Sequence, residues 1–152
     1  MSVKINTKVK KFKVSATNEL EIDSSDLIGK SYVIYFYPKD NTPGCTLESC
    51  NLRDHYVDLK NKGFEVLGVS ADSEASHQKF IKKHKLPFHL LADTEKEVLN
   101  AYGVWGPKKF MGRTFDGIHR TTFVIDENGI IERVFTKVQT KQHTEQILES
   151  YQ

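Results

Sequence analysis

The run Tyr32-Val33-Ile34-Tyr35-Phe36-Tyr37 is continuously β-branched and aromatic, bounded by Gly29 and Pro38, and reads as a central strand buried on both faces. A polar turn, Lys39 to Gly44, leads into a helical stretch reaching about Lys62, which Gly63 stops. Phe64 to Val69 gives a second buried strand. Asp72 or Ser73 can cap a helix to about Lys85, with Phe80, Ile81 and His84 on one side and Pro87 ending it. A short helix fits Glu95 to Tyr102. Gly103 to Gly117 holds four Gly, one Pro and the only Trp, and predicts a long loop. Thr121 to Ile125, the turn Asp126-Glu127-Asn128-Gly129 and Ile130 to Phe135 predict a β-hairpin, and a final helix covers about Thr140 to Tyr151. The expected class is α/β, with a mixed central sheet flanked by helices, parallel strands first and antiparallel ones last. No repeat or linker divides residues 1–152, so a single domain is expected.

Composition narrows the function classes. A chain of 152 residues can bury roughly two-thirds of its unfolded surface and needs neither disulfides nor metal as staples. The net charge of +2, from 22 basic and 20 acidic residues, is too small to argue for nucleic acid or an anionic membrane as a partner. The local basic cluster, Lys4 to Lys13, is better explained as a solvated strand edge than as a binding arm. No stretch approaches the roughly 20 apolar residues of a membrane span, and the N-terminus shows no apolar region followed by small residues. The expectation is a cytoplasmic protein in a reducing compartment, where two cysteines are chemical rather than structural.

Cys45 stands at the end of Pro38-Lys39-Asp40-Asn41-Thr42-Pro43-Gly44-Cys45. Thr42 suits the N-cap and Pro43 the first helical position, which makes Cys45 the third helical residue. Unpaired backbone N–H groups and the positive end of the helix dipole then surround its sulfur and favour the thiolate. The bland alternative is a small core residue, since Cys45, Ser49, Leu52, Tyr56 and Leu59 form an apolar stripe. An ordinary thiol, ionising near pH 8.5, is only a few per cent thiolate at pH 7, and making thiolate the majority form takes about 2.7 kcal/mol. The dipole supplies about 0.3–1 kcal/mol, whereas a guanidinium near 4 Å could add up to about 4 kcal/mol. A reactive Cys45 therefore needs a cation. Arg53, two turns along the same helix, is poorly aimed. Arg120, at the start of the Thr121 to Ile125 strand, is the better candidate, although taken alone it would read as a surface charge.

Cys50 follows at i+5, pointing roughly 140° away on a helix, with Cα atoms about 8–9 Å apart. That exceeds the ~7 Å limit for a disulfide without backbone movement. The closeness in sequence keeps loop closure cheap once the turn unwinds. A permanent bridge is excluded and a transient one is natural; an inert Cys50 is the alternative. The C-x4-C spacing argues against a C-x-x-C dithiol site, and cysteines on opposite helix faces with scattered His give no zinc ligand set.

The segment Pro38…Thr42…Cys45, P-x-x-x-T-x-x-C, resembles the active-site motif of peroxiredoxins. The longer string from Tyr35 through Thr46, Glu48 and Cys50 is similar to the bacterioferritin comigratory protein (PrxQ) subfamily. The similarity continues through Val69–Ser73, Leu86–Phe88, Leu90–Asp93, Gly103–Gly106 and Arg120–Asp126. It covers nearly the whole chain from Val9 onward and departs from the family at Val9-Lys10-Lys11-Phe12, where a Pro is usual. The resemblance implies a thioredoxin-like fold, a peroxidatic Cys45 and a resolving Cys50 in the same subunit. It further implies that Thr42 hydrogen-bonds the sulfur or peroxide, that Pro38 and Pro43 shield the site, and that Glu48 orients Arg120. Backbone N–H groups of Gly44 and Cys45 would hold the peroxide oxygen. The implied cycle runs through a Cys45 sulfenic acid and a Cys45–Cys50 disulfide recycled by thioredoxin, in a monomer serving antioxidant defence, with no metal, haem or flavin.

Two other readings compete: a redox sensor using the same disulfide switch without fast turnover, and a general disulfide oxidoreductase, against which the missing C-x-x-C speaks. His119 could face the site but reads as exposed. Trp105 and Phe110 could wall a pocket or anchor a loop.

Overall fold

The structure, a computed structural model, describes residues 4–151, the Phe110 side chain excepted. In chain order it comprises β1 (Lys13–Ser15), β2 (Glu21–Asp23), a 3-10 turn (Ser24–Leu27), β3 (Ser31–Phe36), α1 (Pro43–Asp54), α2 (Tyr56–Asn61) and β4 (Phe64–Ser70). There follow α3 (Glu74–His84), β5 (His89–Ala92), α4 (Glu97–Ala101), β6 (Trp105–Phe110), β7 (Arg113–Ile118), β8 (Thr121–Ile125), β9 (Ile131–Phe135) and α5 (His143–Glu149).

The main sheet has the order β5-β4-β3-β8-β9. Strands β3, β4 and β5 run parallel, while β8 is antiparallel to β3 and β9 to β8. The alternation of a strand divides β3 between two cores. Val33 and Tyr35 face Cys45 and Leu52 of α1, Leu59 of α2, Phe80 of α3 and Ile147 of α5. Tyr32, Ile34 and Phe36 face Phe12, Val14 and the α4 residues Val98 and Leu99. Gly68 of β4 lets Tyr35 lie close, since a Cβ there would stand 2.8 Å from the ring and 2.6 Å from Leu90 Cδ2. The Tyr35 hydroxyl in turn hydrogen-bonds Ser49 Oγ at 2.9 Å, fastening α1 to the sheet. The basic N-terminal segment runs along the beginning of β9, with Asn6 N–H donating to Ile131 O at 2.7 Å and Val9 N–H to Gly129 O at 3.0 Å.

Three features depart from the sequence expectation. The expected loop between Gly103 and Gly117 is the antiparallel hairpin β6–β7. Its two-residue turn, Met111-Gly112, has φ of 51° and 78°, the double positive φ of a primed hairpin turn. Its faces are largely exposed, so no apolar alternation marked it. The helix expected to reach Lys62 breaks at His55 with no Gly or Pro present. Asn51 of α1 bonds to the α5 segment, whereas the Tyr56 hydroxyl of α2 donates to Glu65 of β4 at 2.6 Å, and one straight helix cannot serve both surfaces. Helices α4 and α5 are shorter than expected, α4 because Lys96 at φ 62° turns the chain just before it.

Candidate active site

The turn after β3 is built to hold the start of α1. Asp40 N–H donates to Asp72 Oδ2 at 2.8 Å, and the Asp40 carboxylate accepts from Tyr37 (2.7 Å) and Ser76 (2.8 Å) and meets His77 Nδ1 at 2.8 Å. His77 Nε2 reaches Leu91 O at 2.9 Å. Burial pushes the Asp40 carboxyl up, but the hydrogen bonds and charge of His77 outweigh it and leave it below the usual range. Asp40, Asp72 and His77 bring three ligand-type atoms within 4.8 Å of one another, yet these atoms are already engaged with donors and acceptors of the fold. This brace was not singled out from the sequence. Its signal was there, since His77 precedes Phe80, Ile81 and His84 by three, four and seven residues, the inward face of α3.

Helix α1 begins with Pro43 at its first position, as expected. Thr42 takes the extended N-cap backbone, and Thr46 N–H donates to its carbonyl at 2.9 Å. Its side chain does not cap the helix as expected, however; Oγ1 donates instead to Lys39 O at 2.8 Å. The hydroxyl is drawn into closing the turn, and the first-turn amides of Gly44 and Cys45 receive no side-chain cap. Pro38 is half-buried and Pro43 exposed on the same turn.

Cys45 is 1% exposed and belongs to the core facing α1, so it packs like a small apolar residue while keeping a polar partner. That partner is Arg120, whose Nη2 donates to Sγ at 3.2 Å. Arg120 sits in the corner between β7 and β8, which His119 fixes: its N–H donates to Val104 O at 2.7 Å and its Nε2 contacts Pro107 O at 3.0 Å. His119 is exposed and props this corner. Gly44 leaves room for the guanidinium, since a Cβ there would lie 3.3 Å from Nη2. Arg53 is turned elsewhere, donating to His84 O at 2.8 Å and pairing with Asp54 at 2.8 Å.

The other face of Arg120 donates from Nη1 to Glu48 Oε1 at 2.7 Å. Glu48 is fully buried, and burial raises its carboxyl to about 7 despite the arginine's opposing charge. Burial works against the guanidinium too, but Glu48 and Cys45 outweigh it and raise it. Behind Glu48 lies His143 of α5, also fully buried, which burial lowers to about 4. Neither His143 nor Lys108 was singled out from the sequence. Lys108 lies in the segment read as a loop; its Nζ donates to Ile118 O at 2.8 Å, and burial and then Arg120 lower it. An open cleft of about 1140 Å³ borders Arg120 and Thr121 on one side and Trp105, Pro107 and Lys108 on the other. Cys45 is not among its walls. Trp105 both lines this cleft and packs against the core, with Lys96 Nζ 5.0 Å from its ring centre. The Phe110 side chain lies outside the described residues.

Cys50 is half-buried on the intact α1, and both cysteines are free thiols. Burial raises the Cys50 thiol, with Arg53 opposing. Next to it, Asn51 is pinned to the α5 segment: Nδ2 donates to Lys141 O at 3.0 Å and Glu145 Oε1 at 3.1 Å, and Oδ1 accepts from Thr144 N–H at 2.7 Å.

A buried sulfur at an uncapped helix start, with a guanidinium on it, is an arrangement for thiol chemistry. Known proteins agree. Residues 5–134 match the model of the AhpC/TSA family. The chain is 48% identical over 128 residues to the putative peroxiredoxin bcp of Haemophilus influenzae, covering 84% of this chain and 83% of that one. It is 39% identical over 150 residues to peroxiredoxin Bcp of Bacillus subtilis, covering 99% and 96%. Among solved structures, a cysteine-to-serine mutant of Xylella fastidiosa PrxQ superposes with a TM-score of 0.92 at 28% identity, covering 99% and 96% of the two chains. Peroxiredoxin Q of Xanthomonas campestris gives 0.86 at 32% identity, covering 91% and 88%. The thioredoxin-like fold expected from the sequence is the fold shared with these structures. The chain belongs to the AhpC/TSA family, among its Bcp/PrxQ peroxiredoxins.

Proposed function

We propose that this peroxiredoxin reduces hydroperoxides with Cys45 as the attacking sulfur and Cys50 as the thiol that resolves it. The observation that carries this reading is the 3.2 Å hydrogen bond from Arg120 Nη2 to Cys45 Sγ at the uncapped start of α1. A guanidinium in contact with the sulfur stabilises negative charge there, and thiolate is the nucleophilic form.

The Cys45 thiolate attacks one oxygen of the O–O bond. That bond breaks, the sulfur is oxidised to sulfenic acid, and the other oxygen takes up a proton and leaves as water or an alcohol. The N–H groups of Gly44 and Cys45 are donors for a peroxide oxygen. Thr42 Oγ1 has committed its hydrogen to Lys39 O, so towards the site it can only accept, which suits the O–H of the hydroperoxide. Pro38 and Pro43 keep additional N–H donors out of this turn. Glu48 orients Arg120. Cys50 then attacks the Cys45 sulfenic sulfur; the S–S bond forms and water leaves. On α1 this requires the first turns to unwind. An external dithiol, of the thioredoxin kind, returns both thiols and is itself oxidised to a disulfide.

The bacterioferritin comigratory protein of Xanthomonas campestris, another structural neighbour, is described as having alkyl peroxide reduction activity, which supports organic hydroperoxides beside hydrogen peroxide as substrates. No helix among the described residues is long and apolar enough to cross a membrane. A monomer acting in the cytoplasm in antioxidant defence fits the sequence. Similarity to peroxiredoxins favours turnover over a sensor that oxidises once. Peroxide consumption with thioredoxin and its reductase tests the cycle: Cys45→Ser should abolish it, and full thioredoxin-linked turnover by Cys50→Ser would refute the role given to Cys50.

A further inference from the structure

Behind Arg120, one carboxylate oxygen lacks a hydrogen. Glu48 Oε1 accepts from Arg120, but Oε2 is buried with no hydrogen-bond partner among the described residues. The atom facing it is His143 Nε2, at 3.5 Å. Hydrogen-bond accounting fixes the tautomer of this ring. Gln146 Nε2 donates to Lys137 O at 2.9 Å and Gln146 Oε1 accepts from Gln139 N–H at 3.1 Å, so the amide orientation is set. His143 Nδ1, 3.0 Å from that Oε1, must therefore donate. In the neutral ring Nε2 is then an acceptor, and Thr122 Oγ1 donates to it at 2.7 Å. Oε2 is thus the unsatisfied atom of the pair: a bare carboxylate oxygen is buried with no donor facing it among the described residues, and Nε2 has one lone pair, already engaged by Thr122. A proton on Oε2 relieves the buried charge and competes with the Thr122 hydroxyl for that lone pair.

We propose that His143 is a positioning residue of the peroxidase chemistry: with Glu48 it holds one shared proton behind Arg120, and so sets how much of the guanidinium's charge is available to the sulfur of Cys45. The inference rests on Cys45 being the nucleophile. With the proton on Glu48 the carboxyl is neutral and Arg120 has a single anion to serve. With the proton gone, carboxylate and sulfur compete for the same guanidinium. The charged or titratable groups facing the pair are Arg120 from the β7–β8 corner, Tyr35 from β3 and Glu145 from α5, the last also engaged by His55 at 3.5 Å, while Cys45 of α1 reaches it only through Arg120. Burial places the proton on the carboxyl: Glu48 is raised to about 7 while His143 is lowered to about 4.

Infrared difference spectra of the whole protein across pH, together with the rate of the first attack on hydrogen peroxide, test this. A protonated buried-carboxyl band is expected in slightly acid solution, lost near pH 7 and absent in Glu48→Gln. The attack rate should show an inflection in step with it. His143→Leu removes the acceptor and should move band and inflection to lower pH by roughly half to one unit, the size of one buried hydrogen bond. Thr122→Val removes the competing donor and should move both to higher pH. A simple packing role would not shift them in opposite directions. The inference is overturned if Glu48→Gln keeps the band, or if neither His143→Leu nor Thr122→Val moves it. A protein that consumes no peroxide would instead defeat the functional reading, which the infrared measurement does not depend on.

Discussion

Arg120 serves two partners from one side chain, the sulfur through Nη2 and the Glu48 carboxyl through Nη1. Removing it takes a positioned cation from the atom at which charge redistributes, a change typically costing about 10²–10³-fold in rate. Arg120→Met is therefore expected to slow sulfenic acid formation by at least about a hundredfold in rapid mixing; a loss under threefold would show that the guanidinium does not assist the attack. Much of this constellation was legible in the sequence because it is local. Pro43, Gly44 and Cys45 follow one another at a helix start, and Arg120 opens a strand whose pattern is unmistakable. The shared proton was not legible: His143 is a lone histidine near the start of a helix, and only the fold brings it to Glu48. The Thr42 side chain was misplaced for a related reason, since capping preference does not say whether the hydroxyl turns inward to an amide or back to Lys39 O.

At the scale of elements, α1 carries both cysteines and must partly unwind if they are to meet. Asn51 resists that motion, being tied to α5 through Lys141 O, Thr144 N–H and Glu145. Asn51→Ala should cut these ties at a cost of about 1–3 kcal/mol. It should speed closure of the disulfide several-fold in quenched mass analysis while leaving the first attack within about twofold; slower closure would mean that unwinding of α1 does not limit that step. The sheet beneath is less forgiving. A Cβ on Gly68 would stand 2.6 Å from Leu90 Cδ2 and 2.8 Å from Tyr35 Cζ, so Gly68→Ala should destabilise by about 1–3 kcal/mol in urea denaturation; an unchanged midpoint would show that β4 can shift. The main strands were readable because their burial writes a hydrophobic run. The β6–β7 hairpin was not, because it is held by backbone pairing with both faces largely in water.

At the scale of the whole molecule, the buried pair leaves a mark on stability against pH. Glu48 is raised from an ordinary value of 4.5 to about 7. Across that window the folded protein holds a proton the unfolded chain has lost, so stability falls as pH rises. His143 is lowered from 6.5 to about 4, so the unfolded chain binds the extra proton and stability falls as pH drops through that window. The two trends oppose each other where they overlap. Each is worth on the order of 3 kcal/mol over its full window. Glu48→Gln removes one of them, and its stability should climb by about 2–3 kcal/mol between pH 4 and 6.5, a steeper rise than in the unmodified protein. Denaturation midpoints at a series of pH values read this directly, and parallel curves for the two proteins would exclude the opposition.

The most direct measurement is the intact mass of the reduced protein after one equivalent of hydrogen peroxide. The unmodified chain should lose two hydrogens as Cys45 and Cys50 join, Cys50→Ser should gain one oxygen and hold it, and Cys45→Ser should not change. An oxygen gained by Cys45→Ser at a comparable rate, or no oxidation of the unmodified chain, would contradict the assignment of Cys45 as the attacking sulfur.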